Sequence, residues 1–83
     1  MIDQHIQPHT LDLKGLKCPL PALKTRKALL GLGPGELIEV ICTDPMARID
    51  IPHLVATLGD QLINQTDHAD YMIFSIRRQD AKD

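Results

Sequence analysis

The chain has 83 residues, of which 43% are hydrophobic, and this length supports one small domain with a single core. Its formal net charge is -2, it has one Phe and one Tyr, and it has no Trp. The chain therefore offers neither the basic surface nor the aromatic stacking platforms that are typical of nucleic-acid binding. No apolar run approaches the roughly 20 residues that span a bilayer, so we expect no direct contact with nucleic acid or membrane.

The cysteine content and the polar start of the chain bear on its compartment. Two cysteines are too few for the disulfide framework of a small secreted domain. Residues 1–5 lack the apolar segment of a secretory signal. We therefore expect a reduced, cytoplasmic protein.

The two ends of the chain show little hydrophobic periodicity. We expect a flexible N-terminal segment at residues 1–9 and a flexible polar tail at residues 79–83. His5 and His9 are four residues apart, but a proline lies between them and no further metal ligand follows at a suitable spacing. We expect no metal or organic cofactor, and a single domain over residues 10–78.

Hydrophobic periodicity and turn residues predict six elements within that domain. They are a strand at residues 10–13, a helix after Pro19, a strand at residues 36–43, a helix begun by Asp50, and strands at residues 61–66 and 71–77. The order βαβαββ predicts an α/β two-layer sandwich, with two helices packed on one face of a four-stranded mixed sheet. The other sheet face then exposes apolar side chains such as Leu37, Ile41 and Ile63, and an interface there is a hypothesis.

The first helix is bounded by prolines and glycines. We predict that it ends at Gly33, in the left-handed conformation, because Pro34 blocks its continuation. Its apolar face is predicted to consist of Ala22, Leu23, Leu29 and Leu30.

The second helix is harder to delimit because Pro52 argues against one continuous helix from Met46 onward. Asp44 is a candidate helix N-cap at the start of the connection that follows the strand at residues 36–43. We predict a turn across residues 46–49, a helix that begins at Asp50, and an end at Gly59.

The stretch Cys18-Pro19-Leu20-Pro21 carries the candidate chemistry. Proline is tolerated in the first turn of a helix, so the two prolines predict a helix start with Cys18 at about its N-cap. The partial positive charge of a helix N-terminus lowers the pKa of a nearby thiol. We therefore predict that Cys18 is an exposed, readily ionised thiol and the catalytic residue of the protein.

Basic residues surround this thiol in the sequence. Five of them, with no acidic residue among them, are Lys14, Lys17, Lys24, Arg26 and Lys27. The first two are expected to lower the pKa of Cys18 further. The other three lie too far along the helix for direct contact, and the set could dock an acidic partner surface.

Two other residues have possible roles beside Cys18. Cys42 alternates with Ile38 and Val40, so we interpret it as a buried core residue. Strand ends and helix starts meet at the same edge of an α/β layer, which leaves open a second role as a resolving thiol. His53 lies off the apolar stripe of its helix, and we interpret it as a solvent-facing residue rather than a general base.

Together these motifs resemble the TusA family of sulfur carriers, also called SirA-like proteins. The resemblance runs from about Thr10 to Arg78 and is carried by Cys18-Pro19-Leu20-Pro21 after a short strand, by Gly33-Pro34-Gly35-Glu36, by Thr43-Asp44-Pro45 and by Asp50-Ile51-Pro52. It implies the same βαβαββ sandwich, and it implies that Cys18 carries a persulfide.

The resemblance also implies partners. In this family the cysteine accepts sulfur from a donor protein, typically a cysteine desulfurase or a rhodanese-like protein, and passes it to a downstream sulfur-acceptor protein. The destinations include tRNA thiolation, cofactor assembly and sulfur oxidation. Leu20 stands where members that serve tRNA thiolation tend to have an acidic residue, so this position is a candidate determinant of partner choice.

Two alternatives to sulfur carriage remain open at this point. The first is a thiol redox switch that uses Cys18 and Cys42. The second is a non-catalytic regulatory interaction module in which Cys18 only caps a helix.

Overall fold

The computed structural model describes residues 9–79. Its elements are β1 (His9–Leu13), α1 (Leu20–Leu30), β2 (Leu37–Cys42), α2 (Ala47–Leu58), β3 (Gln61–Asp67) and β4 (Met72–Arg77). The predicted order βαβαββ is confirmed. Residues 1–8 and 80–83, which include most of the two segments expected to be flexible, lie outside the described residues, and His9 already belongs to β1.

The four strands form one mixed sheet in the order β1-β2-β4-β3. β1 pairs with β2 in parallel, and the other two pairings are antiparallel. The chain crosses from β1 to β2 through α1 and returns to the sheet through α2, so both helices lie over the same face. This confirms the predicted two-layer sandwich.

The core lies between that sheet face and the two helices. Alternate residues of the central strands β2 and β4 point into it because side chains alternate between the faces of a strand. The buried apolar side chains are Leu13, Leu29, Ile38, Val40, Cys42, Ala47, Ile51, Val55, Met72, Phe74 and Ile76. Cys42 is 0% exposed, which confirms its predicted place in the core.

Helix α1 differs from its prediction in its end and in its buried face. It ends at Leu30 and is capped by Gly31, whose φ of -91° is right-handed, so the predicted left-handed cap at Gly33 is wrong. Leu23 and Leu30 are 57% and 49% exposed. The buried row instead consists of Pro21, Thr25 and Leu29, spaced four apart. A polar threonine at the centre of this row obscured it in the hydrophobic pattern.

Helix α2 runs without interruption and includes Pro52, so the predicted turn across residues 46–49 and the helix start at Asp50 are wrong. Pro52 lacks an N–H, so the helix loses one backbone hydrogen bond there, and it must also accommodate the proline ring beside the preceding turn. Burial of Ile51 and Val55 against the sheet favours continuing the helix through this position. The predicted end is confirmed, because Gly59 caps α2 in the left-handed conformation with a φ of 78°.

The second face of the sheet has no layer over it within residues 9–79. Strand register places Leu37, Ile41 and Ile73 on this face, and all three are partly exposed. Ile63 of β3 is 41% exposed. The expected exposure of apolar side chains is confirmed, and their use as an interface stays a hypothesis. Neither helix of the described chain has the length and apolar character needed to cross a bilayer.

Candidate functional site

The candidate site lies where two loops meet at one edge of the sheet. β1 and β2 are parallel and end side by side, with Leu13 in register with Cys42, so the loops that follow them emerge together. The Gly15 N–H donates to Thr43 Oγ1 at 2.9 Å, and the Cys18 N–H donates to Asp44 Oδ2 at 2.5 Å. These two bonds attach the loop that carries Cys18 to the loop after β2.

Cys18 lies just before helix α1 rather than at its N-cap. The N-cap is Pro19, and the helix begins at Leu20. The Leu20 N–H donates to the Lys17 carbonyl at 2.9 Å, so the chain turns sharply around Cys18 before the helix. Pro21 is buried, whereas Cys18 and Pro19 are exposed. The predicted exposure of the thiol at a helix start is confirmed, with a shift of one residue in the cap.

An aspartate of α2 contacts the sulfur directly. Cys18 Sγ donates to Asp50 Oδ2 at 3.2 Å, across 32 residues of sequence. An open cleft with a volume of about 400 Å³ adjoins this pair. Its lining consists of Cys18, Pro19, Ala22, Asp50, His53, Leu54 and Thr57. The sulfur therefore faces a mostly apolar recess with one carboxylate at its side.

The electrostatic environment of Cys18 is the opposite of the one predicted. The pKa of the Cys18 thiol is raised, first by the hydrogen bond to Asp50, then by partial desolvation and by the negative charges of Asp50 and Asp44. The prediction of a lowered pKa was therefore wrong. The two aspartates contact Cys18 directly, whereas Lys14 lies 3.9 Å from Asp12, with which it forms an ion pair.

Asp44 uses both of its carboxylate oxygens, one to join the two loops and the other within its own loop. Oδ2 accepts from the Cys18 N–H, and Oδ1 accepts from the Met46 N–H at 3.1 Å. These bonds, with the charge of Lys17, lower the pKa of Asp44. The predicted helix-capping role is thus replaced by an attachment across 26 residues, since the cap of α2 is Met46.

The remaining predicted site residues lie around this centre. Cys42 is buried under the loop, and burial followed by the charge of Asp44 raises its pKa to about 11. It is therefore a protonated core thiol rather than an accessible resolving cysteine. His53 is exposed, as predicted, and it lines the cleft beside Asp50.

Sequence reasoning missed the chemical roles of Asp44 and Asp50. Both occur in the short motifs that carry the family resemblance, Thr43-Asp44-Pro45 and Asp50-Ile51-Pro52. Their positions before prolines suggested only turns and helix caps. The motifs were a usable signal for the site, but their distance in sequence from Cys18 concealed the contact.

We expect Asp44→Asn to loosen the loop that carries Cys18. An asparagine side chain has one acceptor oxygen, so either Cys18 or Met46 loses the acceptor of its N–H. Hydrogen exchange of the affected amide should become roughly three- to tenfold faster. Amide exchange measured by NMR would check this, with Asp70→Asn as a control in an exposed turn. Unchanged exchange at both amides would contradict the attachment.

The lowered pKa of Asp44 also gives this attachment a pH dependence. A carboxylate whose pKa is lower in the folded than in the unfolded state stabilises the fold above the unfolded value, which is about 3.9 for aspartate. The attachment is therefore complete at neutral pH and is lost as the pH falls through the lowered pKa of Asp44.

The fold and site define a class of small α/β thiol proteins, in which an exposed cysteine lies between a parallel strand and a helix. The family model described as "Sulfurtransferase TusA" matches residues 9–78. The chain therefore belongs to the TusA family, as the sequence motifs predicted.

Individual relatives agree with this assignment. The chain is 39% identical over 69 residues to the sulfur carrier protein TusA of Pseudomonas paraeruginosa strain PA7, which covers 83% of this chain and 87% of that protein. It is 40% identical over 68 residues to the putative sulfur carrier protein YrkI of Bacillus subtilis, which covers 82% of this chain and 91% of that protein.

A solved structure supports the fold independently. The crystal structure of a SirA-like protein from Desulfitobacterium hafniense matches with a TM-score of 0.75, over 86% of this chain and 97% of that chain. The two sequences are 23% identical, so the similarity concerns the fold alone.

Proposed function

We propose that this protein is a sulfur carrier that accepts a persulfide sulfur on Cys18 and relays it to an acceptor protein. The observation that carries the proposal is an exposed Cys18 thiol, held on a loop beside an open cleft, in a chain of the TusA family. The relatives in Pseudomonas and Bacillus are named as sulfur carriers, which supports the same role here.

The proposed transfer is a thiol exchange that needs no oxidant. The Cys18 thiolate attacks the outer sulfur of the donor persulfide, and a new S–S bond forms while the S–S bond of the donor breaks. The electron pair leaves on the donor cysteine, which then takes up a proton. Attack by an acceptor cysteine on the outer sulfur now held by Cys18 repeats the exchange and restores the Cys18 thiol.

Such an exchange needs an accessible sulfur more than it needs a catalytic triad, because its rate depends on the thiolate fraction and on access. Cys18 is the catalytic residue in this proposal. No resident cofactor takes part in the exchange, and we place the reaction in the reducing cytoplasm, where thiols stay free.

The partners in this proposal are a sulfur donor, of the cysteine desulfurase or rhodanese-like type, and a downstream sulfur-acceptor protein. Exposed apolar side chains adjoin the site: Leu20 and Met46 are 43% and 45% exposed, and Ile49 is 64% exposed. Each lies within two residues of Cys18 or of one of the two aspartates that contact Cys18, Asp44 and Asp50. Such side chains suit protein docking, and Leu20 is the proposed determinant of partner choice.

The acceptor protein then delivers sulfur to tRNA thiolation, cofactor assembly or sulfur oxidation, without direct binding of nucleic acid by this chain.

Mass spectrometry of the protein after incubation with a cysteine desulfurase and L-cysteine tests the proposal. We expect the intact mass to increase by one sulfur atom, peptide mapping to place it on Cys18, and a thiol reductant to remove it. Loss of two hydrogens, with a bond between Cys18 and Cys42, would instead indicate the redox switch. A mass unchanged with several persulfide donors would contradict sulfur carriage.

A further inference from the structure

We propose that Asp50 is a positioning residue for sulfur transfer, whose carboxylate holds the Cys18 S–H and keeps the sulfur of the unloaded carrier in its thiol form. This inference rests on the proposed function, because it assigns a role to Asp50 in the exchange at Cys18. It assigns no proton-transfer step to any other side chain.

The contact between Cys18 and Asp50 is held in place by the structural elements that carry both residues. Asp50 lies on helix α2, next to Ile51, which is 0% exposed and packs in the core. Cys18 lies on a loop whose backbone is attached to Asp44 at 2.5 Å. The distance of 3.2 Å between Cys18 Sγ and Asp50 Oδ2 is therefore set by the fold on both sides.

The charges around the sulfur come from three parts of the chain. Helix α2 supplies Asp50 and the titratable His53, and the loop before α2 supplies Asp44. The loop before α1 supplies Lys17, whose charge acts on Asp44. Helix α1 has no charged residue before Lys24, about 6 Å along the axis from its first residue. Asp50 makes the largest contribution, so the pKa of Cys18 is raised.

Asp50 interacts differently with the Cys18 thiol of the unloaded carrier and with the persulfide of the loaded carrier. In the unloaded carrier the thiol donates its proton to the hydrogen bond with Asp50. Before attack this proton passes to water, and the thiolate forms the new S–S bond as described above. A persulfide is a stronger acid than a thiol, so the loaded group is ionised and has no proton for Asp50. The negative charges of the persulfide and of the Asp50 carboxylate then repel each other, which directs the outer sulfur away from α2. In that position an acceptor cysteine can reach the outer sulfur.

The rate of Cys18 alkylation as a function of pH tests this role in the full-length protein. With iodoacetamide as the probe, we expect Asp50→Asn to react roughly two- to fivefold faster than wild type at neutral pH, because its thiolate fraction is larger. Its alkaline plateau should be lower, because a thiolate of lower pKa is a weaker nucleophile. Asp50→Glu retains the negative charge and should return the profile towards wild type.

Matched measurements keep the result specific. Asp70→Asn removes the same charge from an exposed turn and should leave the profile unchanged. Peptide mapping assigns the modified sulfur to Cys18 rather than to buried Cys42, and circular dichroism establishes that each variant is folded. If the Asp50→Asn profile coincides with wild type, or if Asp70→Asn shifts it equally, the proposed role of Asp50 is wrong.

The alkylation experiment and the sulfur-loading experiment can fail separately. Alkylation requires no sulfur donor, so an unchanged profile would reject the role of Asp50 while Cys18 still accepts sulfur. Conversely, absence of sulfur on Cys18 after incubation with donors would reject the proposed function, whatever the alkylation profile shows.

Discussion

Cys18→Ser should abolish sulfur loading, with the rate falling by roughly a thousandfold or more, as expected when the nucleophile of a covalent exchange is removed. A serine hydroxyl does not ionise near neutral pH and cannot form the S–S bond that holds the transferred sulfur. The side chain is exposed, so the substitution should leave the fold intact. The measurement is the mass gained per protein molecule after incubation with a cysteine desulfurase and L-cysteine, together with transfer to an acceptor thiol.

The matched control is Cys42→Ala, which removes the other sulfur of the chain. Because Cys42 is 0% exposed, the folded fraction of this variant should still load Cys18 as wild type does. Full loading of a folded Cys18→Ser protein would contradict sulfur carriage on Cys18. Loss of loading in folded Cys42→Ala would contradict a purely structural role for Cys42.

Phe74→Ala should lower the free energy of unfolding by about 3–5 kcal/mol. Phe74 is 0% exposed on the central strand β4, in register with Val40, and its removal leaves a cavity between the sheet and the helices. Native domains are stable by only about 5–15 kcal/mol, so this loss is a large share of the total. Urea denaturation followed by circular dichroism would measure it.

Leu23→Ala is the control for this stability prediction. Leu23 lies on α1 and is 57% exposed, so its truncation should change the free energy of unfolding by less than about 0.5 kcal/mol. Equal losses in the two variants would show that the core does not lie between the sheet and the helices. A small loss in Phe74→Ala alone would show that the strand β4 is not packed as described.

The sheet could be predicted because its signal is local. In β2 and β4 every second residue is apolar and enters the core, from Ile38 to Cys42 and from Met72 to Ile76. A strand with one buried face must alternate in this way, since a shift of one residue would expose the whole apolar set. The pattern therefore specified the strands, and for β2 it also specified the side that faces the helices.

The helices were predicted less well because packing outweighed local preference. In α1 the row of Pro21, Thr25 and Leu29 faces the sheet although its central residue is polar. In α2 the burial of Ile51 outweighs the local cost of Pro52. Helix propensity is a weak guide wherever tertiary contacts stabilise a helix by more than an unfavourable local preference destabilises it.

The sequence by itself determined that this protein presents an exposed cysteine at the start of a helix, and its motifs determined its family. The tertiary structure decided the direction in which the pKa of that cysteine shifts, because Asp44 and Asp50 reach it from 26 and 32 residues further along the chain. The pKa of a thiol depends on the distances in space to surrounding charges and hydrogen-bond partners. Neighbours in sequence predicted a lowered pKa for Cys18, whereas its neighbours in the fold raise it.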